Sequence, residues 1–133
     1  VRWTFAAHHE TPMRARHAAI RWALGHTDDA GTLADIALAI TEATTNAVLH
    51  AYRGWERPGT IVVEVARREQ QLWFYVRDAG GGLQPRLDSP GLGLGLGLIA
   101  QVCDQSDVRS GASGGTEVAM RFDITRRDAA RAS

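Results

Sequence analysis

The chain has 133 residues, with 15 basic and 15 acidic side chains and a formal charge of zero. Every basic residue is Arg and none is Lys, so neither a basic excess nor a basic stripe is present to capture nucleic acid or an anionic membrane. Hydrophobic residues at 44% and charged ones at 23% predict a packed core rather than disorder, while a lone Cys103 excludes an intramolecular disulfide framework and a multi-cysteine zinc site.

No run approaches the roughly 18 uninterrupted apolar residues of a membrane helix, and the N-terminus lacks the long apolar stretch of a signal peptide. A soluble cytoplasmic domain is expected over residues 1–125, with a frayed tail over 126–133. Arg2 to Ala6 alternates loosely, with Trp3 and Phe5 on one side, and predicts a short half-buried strand. Thr11-Pro12 reads as a helix cap followed by Pro at the first helical position, opening an amphipathic helix from Met13 to Leu24 that stops at Gly25. Thr27-Asp28-Asp29 or Thr32 opens a second helix, and from Leu33 to Tyr52 neither Gly nor Pro interrupts it.

Arg53-Gly54 and Pro58-Gly59 mark a loop. Thr60 to Ala66 and Leu72 to Val76, rich in β-branched and aromatic residues, predict a hairpin joined through the polar segment Arg67 to Gln71. From Asp78 to Gly97 glycine dominates, and helical patterning resumes from Leu98 to Cys103. Strands over Ser106 to Arg109 and Glu117 to Phe122 close the order. That order predicts an α+β, two-layer sandwich with a mainly antiparallel, mixed sheet and its helices on one face.

Three constellations could carry chemistry. Glu42, Asn46 and His50 are spaced i, i+4, i+8 on the long helix and share one face. A solvent-facing stripe would give the same spacing, but such a stripe usually carries several long charged side chains and this segment is mostly apolar. A carboxylate one turn before a carboxamide can instead serve as a proton acceptor beside an oxygen ligand for Mg²⁺, with His50 in a packing or hydrogen-bonding role. Asp78-Ala79-Gly80-Gly81-Gly82 follows a strand, where Asp can accept a hydrogen bond from an exocyclic amine and Gly lets backbone approach a flat ligand; a plain turn uses the same residues. Gly91-Leu92-Gly93-Leu94-Gly95-Leu96-Gly97 reads as a loop running into a helix whose first amides could cradle phosphates. It is not a P-loop, which needs a Lys.

Taken in order, Glu-(x)₃-Asn on a long helix, Asp-x-Gly-x-Gly after a strand, Gly-x-Gly-Leu-Gly-Leu opening a helix and Gly114-Gly115-Thr116 before a last strand resemble the Bergerat-fold ATP-binding domain of histidine kinases, gyrase and MutL. The similarity spans about Trp3 to about Ile124. Within that superfamily the chain most resembles the anti-sigma-factor serine kinases, whose helix motif is similar to Glu42-Ala43-Thr44-Thr45-Asn46-Ala47 with a following His and Tyr.

The resemblance implies ATP and Mg²⁺ as cofactors, with Asn46 coordinating Mg²⁺ and Glu42 as general base. Asp78 then binds the adenine amino group, Gly80 and Gly82 let the nucleotide lie against the backbone, Gly93, Gly95 and Gly97 meet the phosphates, and Thr116 supports the Asp78 end of the pocket. Leu83 to Pro90 leaves room only for a short ATP lid, and Arg86 is the candidate side chain for the γ-phosphate. His8-His9-Glu10 superficially resembles a phosphoacceptor box but is read as a loop. The implied activity is that of an ATP-dependent serine/threonine kinase and anti-sigma factor. Its implied partners are a sigma factor and an anti-sigma-factor antagonist, with no direct nucleic-acid or membrane contact, and a homodimer is compatible with it. The alternatives are an ATP-binding regulatory module without significant turnover and a nucleotide-free scaffold.

Overall fold

The computed structural model describes residues 1–52, 54–56, 58–80, 90–110 and 114–124, with only the backbone described over 90–95. The expected tail over 126–133 lies outside them. Five strands, β1 (Arg2–Ala6), β2 (Thr60–Arg68), β3 (Gln71–Asp78), β4 (Gln105–Ser110) and β5 (Thr116–Asp123), form one sheet in the order β1-β2-β3-β5-β4. All four neighbour pairs are antiparallel. Helices α1 (Thr11–Ala23), α2 (Ala30–Asn46) and α3 (Pro90–Val102) complete an α+β two-layer sandwich, and a π-helical turn, Ala47–Ala51, continues α2. No helix among the described residues is long and apolar enough to cross a membrane.

Strand alternation builds the core. Ile61, Val63 and Val65 of β2, Leu72, Phe74 and Val76 of β3, and Val118, Met120 and Phe122 of β5 are buried on one face of the sheet. Phe74 packs edge-to-face on both Trp22 and Phe122, with centroids 5.6 Å and 5.7 Å apart. Ala15, Ala19 and Ala23 recur every fourth residue on α1 and are fully buried, as are Ile36, Ala39 and Ile40 of α2. The small alanine ridge lets the two helices lie close together over the sheet. On the sheet's other face Trp73 and Tyr75 stack, and Arg77 lies over Tyr75 while pairing with Glu64 and Glu117 at 2.7 Å each.

Asp29 is the cap of α2, and its Oδ2 accepts from the Thr32 amide at 2.9 Å and the Thr32 hydroxyl at 2.7 Å. The cap expected at Thr11 does not form. Thr11 is already helical, and its hydroxyl donates to the Ala6 carbonyl and accepts from His8 N–H at 3.2 Å, so the turn from β1 into α1 uses it instead. His8-His9-Glu10 forms a loop, as expected, with Glu10 just before the helix. The hairpin is tighter than expected. Strands run to Arg68 and from Gln71, joined through Glu69 at φ 56°, a left-handed conformation usually given to Gly or Asn.

The glycine run also departs from expectation. Instead of a loop entering a helix near Leu98, α3 is helical from Pro90. Four glycines inside a helix cost roughly 1 kcal/mol each. Pro at the helix start and packing of α3 against α2, with Ile99 buried, supply what the local sequence lacks.

Candidate functional site

The site is assembled where the end of α2 meets the end of β3. Glu42 is half-buried on α2 and Asn46, one turn later, is 4% exposed. The Asn46 Nδ2 atom is buried without a hydrogen-bond partner. A buried amide group left without a partner is costly unless something outside the chain meets it. A half-turn about the last side-chain torsion exchanges the two ends of the carboxamide, so the same position can present Oδ1, a hard oxygen donor of the kind Mg²⁺ takes. The residue therefore fits the cation that the sequence motif implies.

Beyond Asn46 the helix widens into the π turn. In such a turn the residue five along, rather than four, returns to the same face. Burial follows that spacing: Ala51 is buried and His50 is half-buried. The expected stack of Glu42, Asn46 and His50 thus ends at Asn46, and the π turn delivers Ala51 to the loop after β3.

At that loop the fit is close. A Cβ on Gly80 would lie 2.0 Å from the Ala51 carbonyl oxygen, and one on Gly115 would lie 2.2 Å from the Asp78 carbonyl oxygen, so both positions require glycine. The Asp78 carboxylate accepts from the Gly80 N–H at 3.1 Å and from the backbone N–H of Thr116, its partner across the β3–β5 ladder. Burial pushes the Asp78 carboxyl above the ordinary carboxylate range, and the two N–H donors pull against that shift without reversing it.

This shift has a consequence for stability. Between the ordinary and the raised value the folded chain binds more protons than the unfolded chain. Stability from this group is therefore full below the ordinary carboxylate range and is lost as pH rises through the raised value. The unfolding free energy of wild type minus that of Asp78→Asn, from urea melts at a series of pH values, is expected to fall across that window; a flat or rising difference contradicts it.

Asp78, Ala79, Ser110 and Thr116 line a cleft of about 370 Å³, together with Gly115 and with Arg77, Arg109 and Glu117 from the edge of the outer face. Glu42 and Asn46 do not line it; their helix reaches the same loop through Ala51. Of the glycines expected at the phosphates, Gly93 lies in the first turn of α3, where N–H groups have no partner within the helix. Gly95 and Gly97 lie beyond that turn, so helix geometry commits their amides to intrahelical bonds. A Cβ on Gly97 would meet nothing within 4 Å. Gly82, Arg86 and the lid segment 83–89 lie outside the described residues.

The family model for the histidine kinase-like ATPase domain matches residues 5–122. The chain belongs to the histidine kinase-like ATPase family. Its sandwich is the Bergerat fold, and within the family it is related to the anti-sigma-factor kinases. It is 32% identical over 108 residues to a serine-protein kinase, RsbW, of Bacillus pumilus, covering 69% of this chain and 65% of that protein. It is 30% identical over 105 residues to an anti-sigma F factor of Caldanaerobacter subterraneus, covering 71% of this chain and 72% of that one. The crystal structure of the RsbU and RsbW domains of a Mycobacterium tuberculosis protein has the same fold, with a TM-score of 0.72 and 23% identity over 93% of this chain and 32% of that one. The chain thus spans just under two thirds of the length of the Bacillus kinase.

Ala51, Ala79 and Tyr52 also belong to this junction, though the sequence does not point to them. Ala51 and Ala79 bear no chemistry that a motif could flag, and Tyr52 stood out only as a residue trailing the helix motif.

Proposed function

We propose that the chain is an ATP-dependent serine/threonine protein kinase that restrains a sigma factor and phosphorylates an anti-sigma-factor antagonist protein in the cytoplasm. Similarity to a serine-protein kinase and to anti-sigma F factors carries the reading. The unpartnered, buried Asn46 amide one turn after Glu42 supports it. Bound Mg–ATP supplies the transferable phosphoryl group and the cation that offsets its charge.

The chain's own residues then do the following. Asn46 holds the cation through its side-chain oxygen. Glu42 takes the proton of the serine hydroxyl onto a carboxylate oxygen, because the hydroxyl is a poor nucleophile until its proton has an acceptor. Asp78, oriented by the Gly80 and Thr116 amides, accepts a hydrogen bond from the adenine amine. Gly80 keeps backbone near the base, and Gly93, in the first turn of α3, offers the phosphates an N–H that the helix leaves free. Positioning of this kind is most of what phosphoryl transfer asks of a protein. A sigma factor, an antagonist and a second copy of the chain are the partners in this reading.

The test is transfer of label from γ-labelled ATP to a serine on a candidate antagonist from the same host. Labelling that needs Mg²⁺ is the expected result. Tight ATP binding with no labelled antagonist would instead make the chain an ATP-responsive binding module.

A further inference from the structure

Tyr52 follows the π turn directly and is only 8% exposed. Its hydroxyl is used twice. The O–H donates to the Thr60 carbonyl at the start of β2, and the oxygen accepts from the Ala79 N–H at 2.9 Å. A phenol has one proton to give and lone pairs with which to accept, so both of its roles are taken. The hydroxyl thereby ties together three segments: the end of the helix that carries Glu42 and Asn46, the first residue of β2, and the residue between Asp78 and Gly80.

The ring is held as firmly. Trp55 meets it edge-to-face with centroids 4.7 Å apart, and the backbone at Gly59 lies so near that a Cβ there would fall 2.0 Å from a ring carbon. Phe would fill the same volume and leave the Ala79 N–H and the Thr60 carbonyl without this partner.

We propose that Tyr52 is a positioning residue for base selection: by fixing the Ala79 amide, its hydroxyl sets the direction of the Asp78 carboxylate. The inference rests on the nucleotide-site reading and extends it to how adenine is told from other purines. A carboxylate accepts an amine N–H but repels the oxo group that hypoxanthine carries at the same ring position, and only a carboxylate held in place discriminates strongly. Ala79 is bonded directly to both Asp78 and Gly80, and the Gly80 N–H is itself a donor to that carboxylate. Releasing Ala79 therefore loosens both ends of the contact while leaving Glu42 and Asn46 on their helix.

The experiment compares wild type and Tyr52→Phe in their affinity for ATP and for inosine triphosphate, and in transfer rate at saturating ATP. Tyr52→Phe is expected to bind ATP about tenfold more weakly. Its preference for ATP over inosine triphosphate is expected to shrink by a similar factor, with the saturated rate within about twofold of wild type. A variant that keeps the wild-type preference overturns the inference, whether or not its affinity or melting temperature falls. Failure of the wild type to prefer ATP would overturn the nucleotide-site reading and this inference with it. Should Tyr52→Phe not fold, hydrogen exchange in the wild type decides: the Ala79 amide is expected to be protected to the level of the β2–β3 ladder, and exchange at the rate of an open loop overturns the tether.

Discussion

Glu42→Gln is expected to lower the rate of phosphoryl transfer about a thousandfold while leaving the affinity for Mg–ATP within about twofold. The change keeps the side chain's size and its place on α2, four residues before Asn46. It removes only the ability to take up a proton. A serine hydroxyl without an acceptor for its proton is a weak nucleophile, and general-base assistance contributes roughly 10²- to 10⁴-fold. Because the loss falls on the chemical step, it shows in single-turnover transfer from γ-labelled ATP rather than in nucleotide binding. Equal transfer by wild type and variant would remove Glu42 from the role of base.

Gly80→Ala is expected to have the largest effect on binding, weakening ATP about a hundredfold and destabilising the fold by about 1–3 kcal/mol. The added methyl would lie 2.0 Å from the Ala51 oxygen, 2.5 Å from the Ala51 carbonyl carbon and 3.0 Å from its Cβ. Two of these are backbone atoms, so no rotamer change relieves the clash and the loop itself must move. The Gly80 N–H moves with it, and the Asp78 carboxylate loses one of the two backbone donors that orient it. Urea unfolding reads the stability and titration with a fluorescent nucleotide reads the affinity. Wild-type affinity in a folded Gly80→Ala would show that the close approach of this loop to α2 plays no part in holding the nucleotide.

Much of this arrangement is legible in the sequence. Alternation of apolar residues marks β1, enrichment in β-branched and aromatic residues marks β2 and β3, the Pro12 and Gly25 punctuation brackets α1, and the spacing of Glu42 and Asn46 puts both on one helix face. These signals are local, and local patterns survive because each agrees with the packing around it. Other features are set by contacts between distant segments. Nothing in Ala47-Val48-Leu49-His50-Ala51 announces a π turn, since these residues are common in ordinary helices; the turn is fixed where Ala51 abuts Gly80. The glycine run alternates Gly and Leu with a period of two and carries no helical period, so its helix is visible only once α3 packs on α2. Thr11 carries the signature of a cap, yet its hydroxyl serves the β1–α1 turn because the Ala6 carbonyl lies within reach.

The site divides in the same way. Asp78 and Thr116 could each be named from sequence, and the β3–β5 register sets them opposite one another. What orients the Asp78 carboxylate is backbone: the amides of Gly80 and Thr116, with the Ala79 amide tied to Tyr52. Backbone donors leave no trace in residue type, so sequence names the group that meets the base and says little about what aims it.

Thermal unfolding with and without millimolar Mg–ATP tests most directly whether the region where α2 meets the Asp78 loop is a nucleotide site. A ligand that prefers the folded chain must stabilise it, by about 2.7 kcal/mol at a hundred times its dissociation constant. The melting temperature is expected to rise with Mg–ATP concentration in the wild type and to rise far less in Asp78→Asn. A melting temperature unmoved by Mg–ATP, or moved equally in both proteins, would contradict it.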